Sequence, residues 1–335
     1  MDDAMQVFDR SRPAISAIAV VGAILITGEE HASGLSRWRI CGMPPPSSGG
    51  IAVAQILSLV ERFPLAAWGP NAPDSLHVFA EAGRLAFADR NRYLADPDFV
   101  AIPRGMLDAA YLKLRGSQID LSRSMKRAEA GTPPGSKVAL APDATIEASG
   151  TSHISVVDRY GNAVAMTTTI EDQFGARVMV RGFLLNNELT DFSFVPQEGG
   201  HPVANRIEAG KRPRSSIAPT IVYDRHNKPL IVTGSPGGSA IINYVAKSIV
   251  ALVDWGLTPQ QAADLPNFGS RNGPTEIERG TALEALKPEL ERRGHTVNVI
   301  DFTSGLHILQ RTDGRAGRQW RGGADPRREG IVLGD

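Results

Sequence analysis

The chain has 335 residues, with 36 basic and 36 acidic side chains, 42% hydrophobic and 21% charged residues. That length supports a substantial core, in one large domain or two smaller ones, and the composition is ordinary for a soluble globular protein. Balanced charge gives no net pull toward nucleic acid or an anionic membrane, and the single cysteine, Cys41, excludes an intrachain disulfide and any multi-cysteine metal site.

The leading segment carries an apolar run, Ala14 to Gly28, too short for a comfortable transmembrane helix. It is poorly flanked as a signal-peptide core, because Asp2, Asp3 and Asp9 outnumber Arg10 and Arg12 where a signal is basic. A buried strand or helix is the plainer expectation. Ile40, Gly42 and Met43 around Cys41 predict a buried thiol. "MPPPSSGG" (Met43 to Gly50) predicts a rigid turn, with prolines fixing φ and glycines permitting tight geometry. It feeds a mostly buried helix over "IAVAQILSLVERF". Asp74 is placed to cap the next helix, where Leu76, Phe79, Ala80, Gly83 and Phe87 fall at helical spacing. A short helix around "MLDAAYLKLRG" follows. Residues 117 to 150 are polar, rich in Pro, Gly and Ser, and without periodicity, which predicts an exposed, pliable loop.

After residue 150 the texture becomes β. "HISVVD" and "AVAMTTT" flank "RYG", and "GFLLNN", "PTIVYD" and "PLIVTG" read as further strands. Helices resume at "SAIINYVAKSIVALVDWG", "TPQQAADLP" and "ALEALKPELERRG", followed by strands at "TVNVIDF" and "HILQRT". Helices, then strands, then both together predict an α+β fold layered α/β/β/α rather than a doubly wound sheet. The seven histidines show no HExxH or comparable spacing, so no catalytic metal is expected.

The turn chemistry sets a register. A three-residue loop, Arg159-Tyr160-Gly161, with Gly161 in the left-handed region, pairs Asp158 with Asn162. Counting outward places Thr151 opposite Thr169. Two readings stand. Thr–Thr cross-strand pairs are ordinary sheet chemistry. Alternatively, a cut at Gly150-Thr151 would make Thr151 N-terminal, with an α-amino group of reference pKa about 7.7–8.0 as its own base. Gly150 would hinder attack on its carbonyl little. Gly237 and Gly238, between a buried strand and a helix, expose backbone N–H groups able to hold developing negative charge, though a tight turn needs glycines too.

"TSHISVVDRYGNAVAMTTTIEDQFG", "LLNNELTDFS", "KRPRSSIAPTIV" and "VTGSPGGS", with "MPPPSSGG", "AEAGRLAFADRNRYLADPDF" and the terminal "ADPR", resemble the γ-glutamyltranspeptidase family in motif and order, from about Cys41 to Arg327. The resemblance implies an N-terminal-nucleophile hydrolase made as a precursor that cleaves itself before Thr151. Residues 43–150 would be the end of a large subunit, and residues 151–335 the small one. It implies Thr169 as the hydroxyl bonded to the nucleophile, and Gly237 and Gly238 as the oxyanion hole. Glu171, Glu188 and Asp191 would hold the donor's α-amino group, and Ser215 and Ser216 its α-carboxylate. The implied partners are a γ-glutamyl donor such as glutathione and an amine or water acceptor, with no cofactor.

The family precursor carries a further large segment before "MPPPSSGG", including an arginine that pairs with the α-carboxylate, and residues 1–42 match no family motif. The expectation is an αββα sandwich incomplete on its N-terminal side, completed by a segment supplied separately, or else a remnant that does not mature. Members are usually periplasmic or secreted. The compact stretch from Asp191 to Ser215 leaves little room for a long lid, so a related acylase for bulkier glutaryl or cephalosporin amides is the alternative enzyme.

Overall fold

The computed structural model describes residues 38–145, 147, 150–314 and 317–334. The apolar run Ala14–Gly28 lies outside the described residues. The first element is a short strand, β1 (Arg39–Cys41), in which Cys41 is buried and burial raises its thiol pKa. The Met43–Gly50 turn, with a cis bond between Pro45 and Pro46, then delivers the chain into α1 (Gly49–Val60). Glycine is required at 49, because a Cβ there would lie 2.2 Å from the Ile217 carbonyl oxygen. The close approach lets the Ser48 N–H donate to the Ser215 carbonyl at 2.8 Å and the Ser47 hydroxyl to that of Ile217 at 2.6 Å.

The helices α2 (Leu65–Trp68), α3 (Pro73–Tyr93) and α4 (Ala109–Gly116) follow. The expected Asp74 cap is not formed. Pro73 opens α3 with its preset φ, Ala72 is the N-cap without a side-chain bond, and Asp74 sits inside the first turn, paired with Arg293 at 2.7 Å. Residues 117–145 also depart from the exposed loop expected. Ile119, Ser124, Ala128, Ala141 and Asp143 are buried, because α3 presents buried charges that the loop satisfies. Ser124 Oγ and the Met125 N–H donate to Glu81, and Arg84 Nε donates to the Lys126 carbonyl.

The second half begins with the hairpin β2 (Thr151–Val157) and β3 (Ala163–Thr169). Two small hairpins come next, β4 (Met179–Val180) with β5 (Phe183–Leu184), and β6 (Gln197–Glu198) with β7 (His201–Pro202). Then come β8 (Thr220–Tyr223), β9 (Pro229–Gly234), α5 (Ile241–Val253) and α6 (Pro259–Asp264). Strands β10 (Phe268–Ser270), β11 (Thr275–Glu278) and β12 (Val297–Ile300) form a small sheet, with α7 (Lys287–Arg292) between the last two. Strands β13 (His307–Gly314) and β14 (Gly317–Ala324) complete the fold.

The main sheet is antiparallel in the order β1-β8-β9-β13-β14. Strand alternation shows how it is covered. Thr233 of β9 meets Ser248 of α5 at 3.3 Å, whereas its neighbour Gly234 meets the ring of His153 in β2. Helix α5 therefore covers one face, with α1 packed beside it and α3 against α1 and β10, and the β2–β3 hairpin covers the other, giving an α+β structure in layers. On the hairpin, Ile154, Val156 and Val164 are exposed.

One polar cluster stands deep under α3. His77 Nδ1 and His295 Nε2 are 2.7 Å apart, His77 Nε2 meets the Asp120 carbonyl at 2.8 Å, and His295 Nδ1 meets Thr275 Oγ1 at 2.7 Å. Glu81 beside them is bound by Arg84 at 2.6 Å. His77, Glu81 and His295 lie close enough to suit a cation, yet each group is already engaged and a guanidinium stands against the carboxylate, so the cluster reads as a polar support. Burial holds both imidazoles neutral, with the His295 pKa down at about 3 and Arg84 and Arg293 reinforcing the effect. The unfolded chain therefore binds more protons between about pH 6.5 and about pH 3, and stability falls as pH drops through that window. His295→Asn is expected to be less stable at neutral pH but to lose melting temperature less steeply on acidification, measured by thermal denaturation across that range.

Candidate active site

The β2–β3 register is the one the turn chemistry predicts. Thr151 pairs with Thr169 and Val157 with Ala163, Gly161 has φ of +87°, and the Asp158 N–H donates to the Asn162 carbonyl at 3.0 Å. A one-residue slip would turn every side chain to the other face. The hairpin is seated by His153, which bonds Thr167 Oγ1 at 2.8 Å and Ser155 Oγ at 3.0 Å and fills the space over Gly234. Burial drives the His153 pKa down to about 3, keeping it a neutral spacer.

At the start of β2, Thr151 Oγ1 donates to Thr169 Oγ1 at 3.2 Å, and Thr169 Oγ1 accepts the Glu171 N–H at 2.8 Å. Gly150 is pinned beside them, its N–H on the Glu171 carbonyl at 2.8 Å. A Cβ at 150 would lie 2.5 Å from the Asp172 carbonyl carbon, so the backbone itself demands glycine. Arg328 also reaches in, donating from Nη1 to the Thr151 carbonyl at 3.2 Å. The sequence reading missed it, since nothing near residue 328 announces a partner 177 positions earlier.

A recess of about 260 Å³ brings together Thr151, Thr169, Glu171, Asp191, Ser215, Ser216 and Gly238, together with Glu147. Glu188 and Gly237 are not among its lining residues. Glu188 stands close enough to Glu171 for burial and that charge to raise its pKa, and Gly237 precedes Gly238 in the chain. Asp191 is raised further, to about 8, by burial and then by Glu147, Glu188 and Glu171, with Arg90 opposing. Asp191 Oδ1 and Glu188 Oε1 are buried without a hydrogen-bond partner among the described residues. The arrangement is a cation-seeking corner. Glu171 adds backbone strain, holding φ of +76° where a side chain is disfavoured, with Asn187 Nδ2 bonded to its carboxylate. Buried Asn205 fixes the Asp191 end, donating to the Asp191 carbonyl at 2.7 Å and to Asp143 at 2.9 Å while accepting the Arg214 N–H at 3.0 Å.

Opposite stands a basic corner that sequence reading also missed. Arg90, from the buried face of α3, donates to Ser48 Oγ at 2.8 Å and to Ser216 Oγ at 2.6 Å, and pairs with Glu147. Ser216 Oγ in turn donates to Glu147. Arg90 follows Phe87 by three positions, on the stripe the helical spacing had marked as buried; an arginine on such a stripe calls for an anion. The strand-to-helix junction is also as glycine demands. Gly237 has φ of +134° and Gly238 +57°, and a Cβ on Gly237 would meet the Tyr244 ring at 2.5 Å. A 3-10 turn, Gly238–Ala240, leads directly into α5, so the helix begins at the recess.

Two outcomes follow. Asp191 keeps its proton up to about pH 8, whereas the unfolded carboxyl loses it near pH 4, so stability falls as pH rises between those values. In a Thr151→Ala background, Asp191→Asn is expected to gain melting temperature relative to its parent, least near the low end and most near pH 8, by differential scanning fluorimetry. Gly150→Ala is expected to lower stability by about 1–3 kcal/mol through backbone overpacking, measured by denaturant unfolding.

The sequence model of the Gamma-glutamyltranspeptidase family matches residues 29–334. The glutathione hydrolase proenzyme of Escherichia coli (strain K12) is 38% identical over 303 residues, covering 87% of this chain and 50% of that protein. The acylase ACY 1 proenzyme of Pseudomonas sp. (strain SE83) is 33% identical, covering 78% of this chain and 44% of the relative. Among solved structures, the cephalosporin acylase from Bacillus halodurans superposes with a TM-score of 0.73 at 25% identity, covering 89% of this chain and 51% of that one. The chain thus spans about half the length of these relatives. With a family match across most of its residues and the motifs gathered at one recess, the chain belongs to the γ-glutamyltranspeptidase family.

Proposed function

We propose that this protein is an N-terminal-nucleophile acyltransferase that transfers or hydrolyses γ-glutamyl groups from glutathione-type donors after cutting itself between Gly150 and Thr151. The observation that carries the reading is one recess in which Thr151, first residue of its strand, bonds Thr169 while facing carboxylates on one side and a serine–arginine corner on the other.

The steps balance as follows. Thr151 Oγ1 attacks the Gly150 carbonyl carbon, the amide C–N bond breaks, and an ester forms as the Thr151 nitrogen takes the proton. Water hydrolyses that ester, leaving a Gly150 carboxylate and a free Thr151 amine. The amine then serves as base when Thr151 Oγ1 attacks the γ-carbonyl of a donor, whose amine leaves with the proton. Thr169 orients the hydroxyl, and the N–H groups at Gly237 and Gly238 hold the oxyanion, aided by the start of α5. Glu171, Glu188 and Asp191 take the donor's ammonium, and Ser215 and Ser216 its carboxylate. Water or an acceptor amine resolves the γ-glutamyl ester. The reaction as written requires no cofactor.

A second reading, an acylase acting on bulkier amides, is supported by the likeness to the Pseudomonas and Bacillus acylases. The buried Asp191 Oδ1 and Glu188 Oε1, without a hydrogen-bond partner among the described residues, favour a donor bearing an ammonium. A γ-glutamyl anilide and a glutaryl amide separate the two; faster turnover of the glutaryl amide would reverse the choice.

Intact mass under denaturing conditions tests the maturation. Wild-type protein is expected to give chains of 150 and 185 residues (335 − 150 = 185), and Thr151→Ala a single chain. Thr169→Val is expected to cut slowly and, once cut, to lose about 10²-fold in turnover, as for a lost oriented hydrogen bond in the transition state. A wild-type chain that stays whole would mean that this stretch does not mature alone.

A further inference from the structure

We propose that Arg328 is a positioning residue for the acyl-transfer chemistry: its guanidinium, seated on the Thr151 carbonyl, holds the α-amine that a cut frees at Thr151 in the unprotonated form that acts as a base. This role rests on reading Thr151 as a nucleophile freed by a cut after Gly150, and assigns what keeps that nucleophile's base ready.

The hairpin ladder decides which way the Thr151 backbone faces. In an antiparallel pair, residues that exchange both backbone bonds with their partner alternate with residues that exchange neither. The Asp158 N–H bonds the Asn162 carbonyl, which puts Val156, Ile154 and Ser152 among the bonded residues and turns the backbone groups of His153 and Thr151 outward. The contacts at that edge agree. The His153 carbonyl meets His307 Nδ1 of β13 at 2.6 Å, and the Thr151 carbonyl accepts from Arg328 Nη1 at 3.2 Å. The N–H and C=O of one extended residue point to the same edge, with the nitrogen about 3 Å from its own carbonyl oxygen. The Thr151 nitrogen therefore faces the edge that Arg328 occupies, within about 6 Å of Nη1.

Arg328 is held in place from several sides. Its Nε donates to the Thr303 carbonyl at 2.9 Å, and a Cβ at Gly305 would lie 2.9 Å from its Cδ, so glycine there leaves the stem its path. The turn before it is fixed by buried Asp325, which accepts from Ser304 Oγ at 2.6 Å and pairs with Arg327 at 2.9 Å. The charge matters because of what else surrounds the amine. Glu147, Glu171 and Asp191 line the recess with Thr151, Glu188 acts on Glu171, and a cut adds the Gly150 carboxylate. Each of these negative charges favours a protonated amine, which cannot take the hydroxyl proton. Nearby, Arg90, Arg214 and Arg271 are paired with Glu147, Asp143 and Glu276, and His153 is neutral. Arg328 donates to Thr151 itself, and a like charge at that distance opposes protonation of the amine. A guanidinium also keeps its charge wherever the amine titrates, so the opposition persists across that range.

The test compares wild-type, Arg328→Gln and Arg328→Lys proteins by the pH profile of kcat/KM on a γ-glutamyl anilide. An amine base works when unprotonated, so the rate rises with pH through its titration. Arg328→Gln is expected to move that rise upward by about 0.5–1 pH unit, slowing turnover about 3–10-fold below it and sparing turnover above it. Arg328→Lys, which keeps the charge, is expected to follow the wild-type profile. A contact that only held the fold together would slow turnover at every pH alike. The amine is also titrated directly, by NMR on cut protein carrying isotope-labelled threonine, in which an amine nitrogen resonates apart from the amides. A titration unmoved in Arg328→Gln, or moved as far in Arg328→Lys, would overturn the proposal. Should Arg328→Gln stay whole, an Arg328→Lys protein that cuts itself and titrates as wild type supports the role of charge, and one that stays whole counts against it. A shifted titration in cut protein without turnover keeps the role of Arg328 on the amine and removes the acyl transfer. Turnover with an unshifted titration does the reverse, and a wild-type chain that never cuts has no such amine and overturns both.

Discussion

Two buried guanidinium groups and the carboxylates that neutralise them hold this molecule's site together. Arg90 comes from α3, Arg214 from the loop before Ser215, and their partners Glu147 and Asp143 both come from the segment that ends at Gly150. Such pairs lose in desolvation much of what they gain in attraction, so they contribute little net stability, but removing one partner is costly. What they provide is uniqueness of arrangement. The described residues just before Thr151 have no regular secondary structure, and these anchors hold them over the recess together with the backbone bonds of Asp143 to Asn91 and of Gly150 to Glu171. Ser48 links the same node to the Met43–Gly50 turn, and Asn205 links it to Asp191. Four stretches distant in sequence thereby share one polar centre.

The sheet gives the chemistry its rigidity. Thr151 begins a strand whose seven residues are all paired, and the hairpin is locked to the main sheet by the fit of His153 over Gly234. Thr151, at the strand end, has its backbone fixed by the ladder, while Gly150 before it lies outside regular structure. Rigid strand and less regular flank meet at a single peptide bond. The strain at Glu171, a non-glycine residue at positive φ, falls at the bend where β3 leaves the hairpin and turns a carboxylate into the recess.

Much of this was legible in the sequence, for identifiable reasons. The hairpin register follows from local turn chemistry, which needs no knowledge of the rest of the chain. Helices α1 and α5 announce themselves by apolar runs behind glycine-rich turns. The glycines at 237 and 238 are explained by positive φ, as a tight junction requires. What stayed hidden depends on partners far along the chain. Strand β14, "GRQWRGGA", lacks the alternation that marks a strand and exists because β13 offers it a ladder. The stretch after α4 reads as solvent-exposed because its polarity is visible and the buried Glu81 and Arg84 that absorb it are not. Thr151 alone could have been an ordinary strand residue; the family motifs made it a nucleophile candidate. Arg90 and Glu147 passed unnoticed because a charge in a sequence carries no label for the charge it meets.

Strand β1, before the Gly150-Thr151 bond, pairs with β8, after it, with Ile40 opposite Val222, and α1 shares its packing with α5. Breaking that one bond would therefore leave two chains woven through a single sheet and core, with no surface along which they could part cleanly. The shared sheet and core would still pair the two pieces, but the unfolded state would become two molecules instead of one. Refolding would turn from a first-order event into a second-order encounter, rare in dilute surroundings. The cut would thus leave the protein reliant on the height of its unfolding barrier rather than on its equilibrium stability, and folding once would have to suffice for its working life.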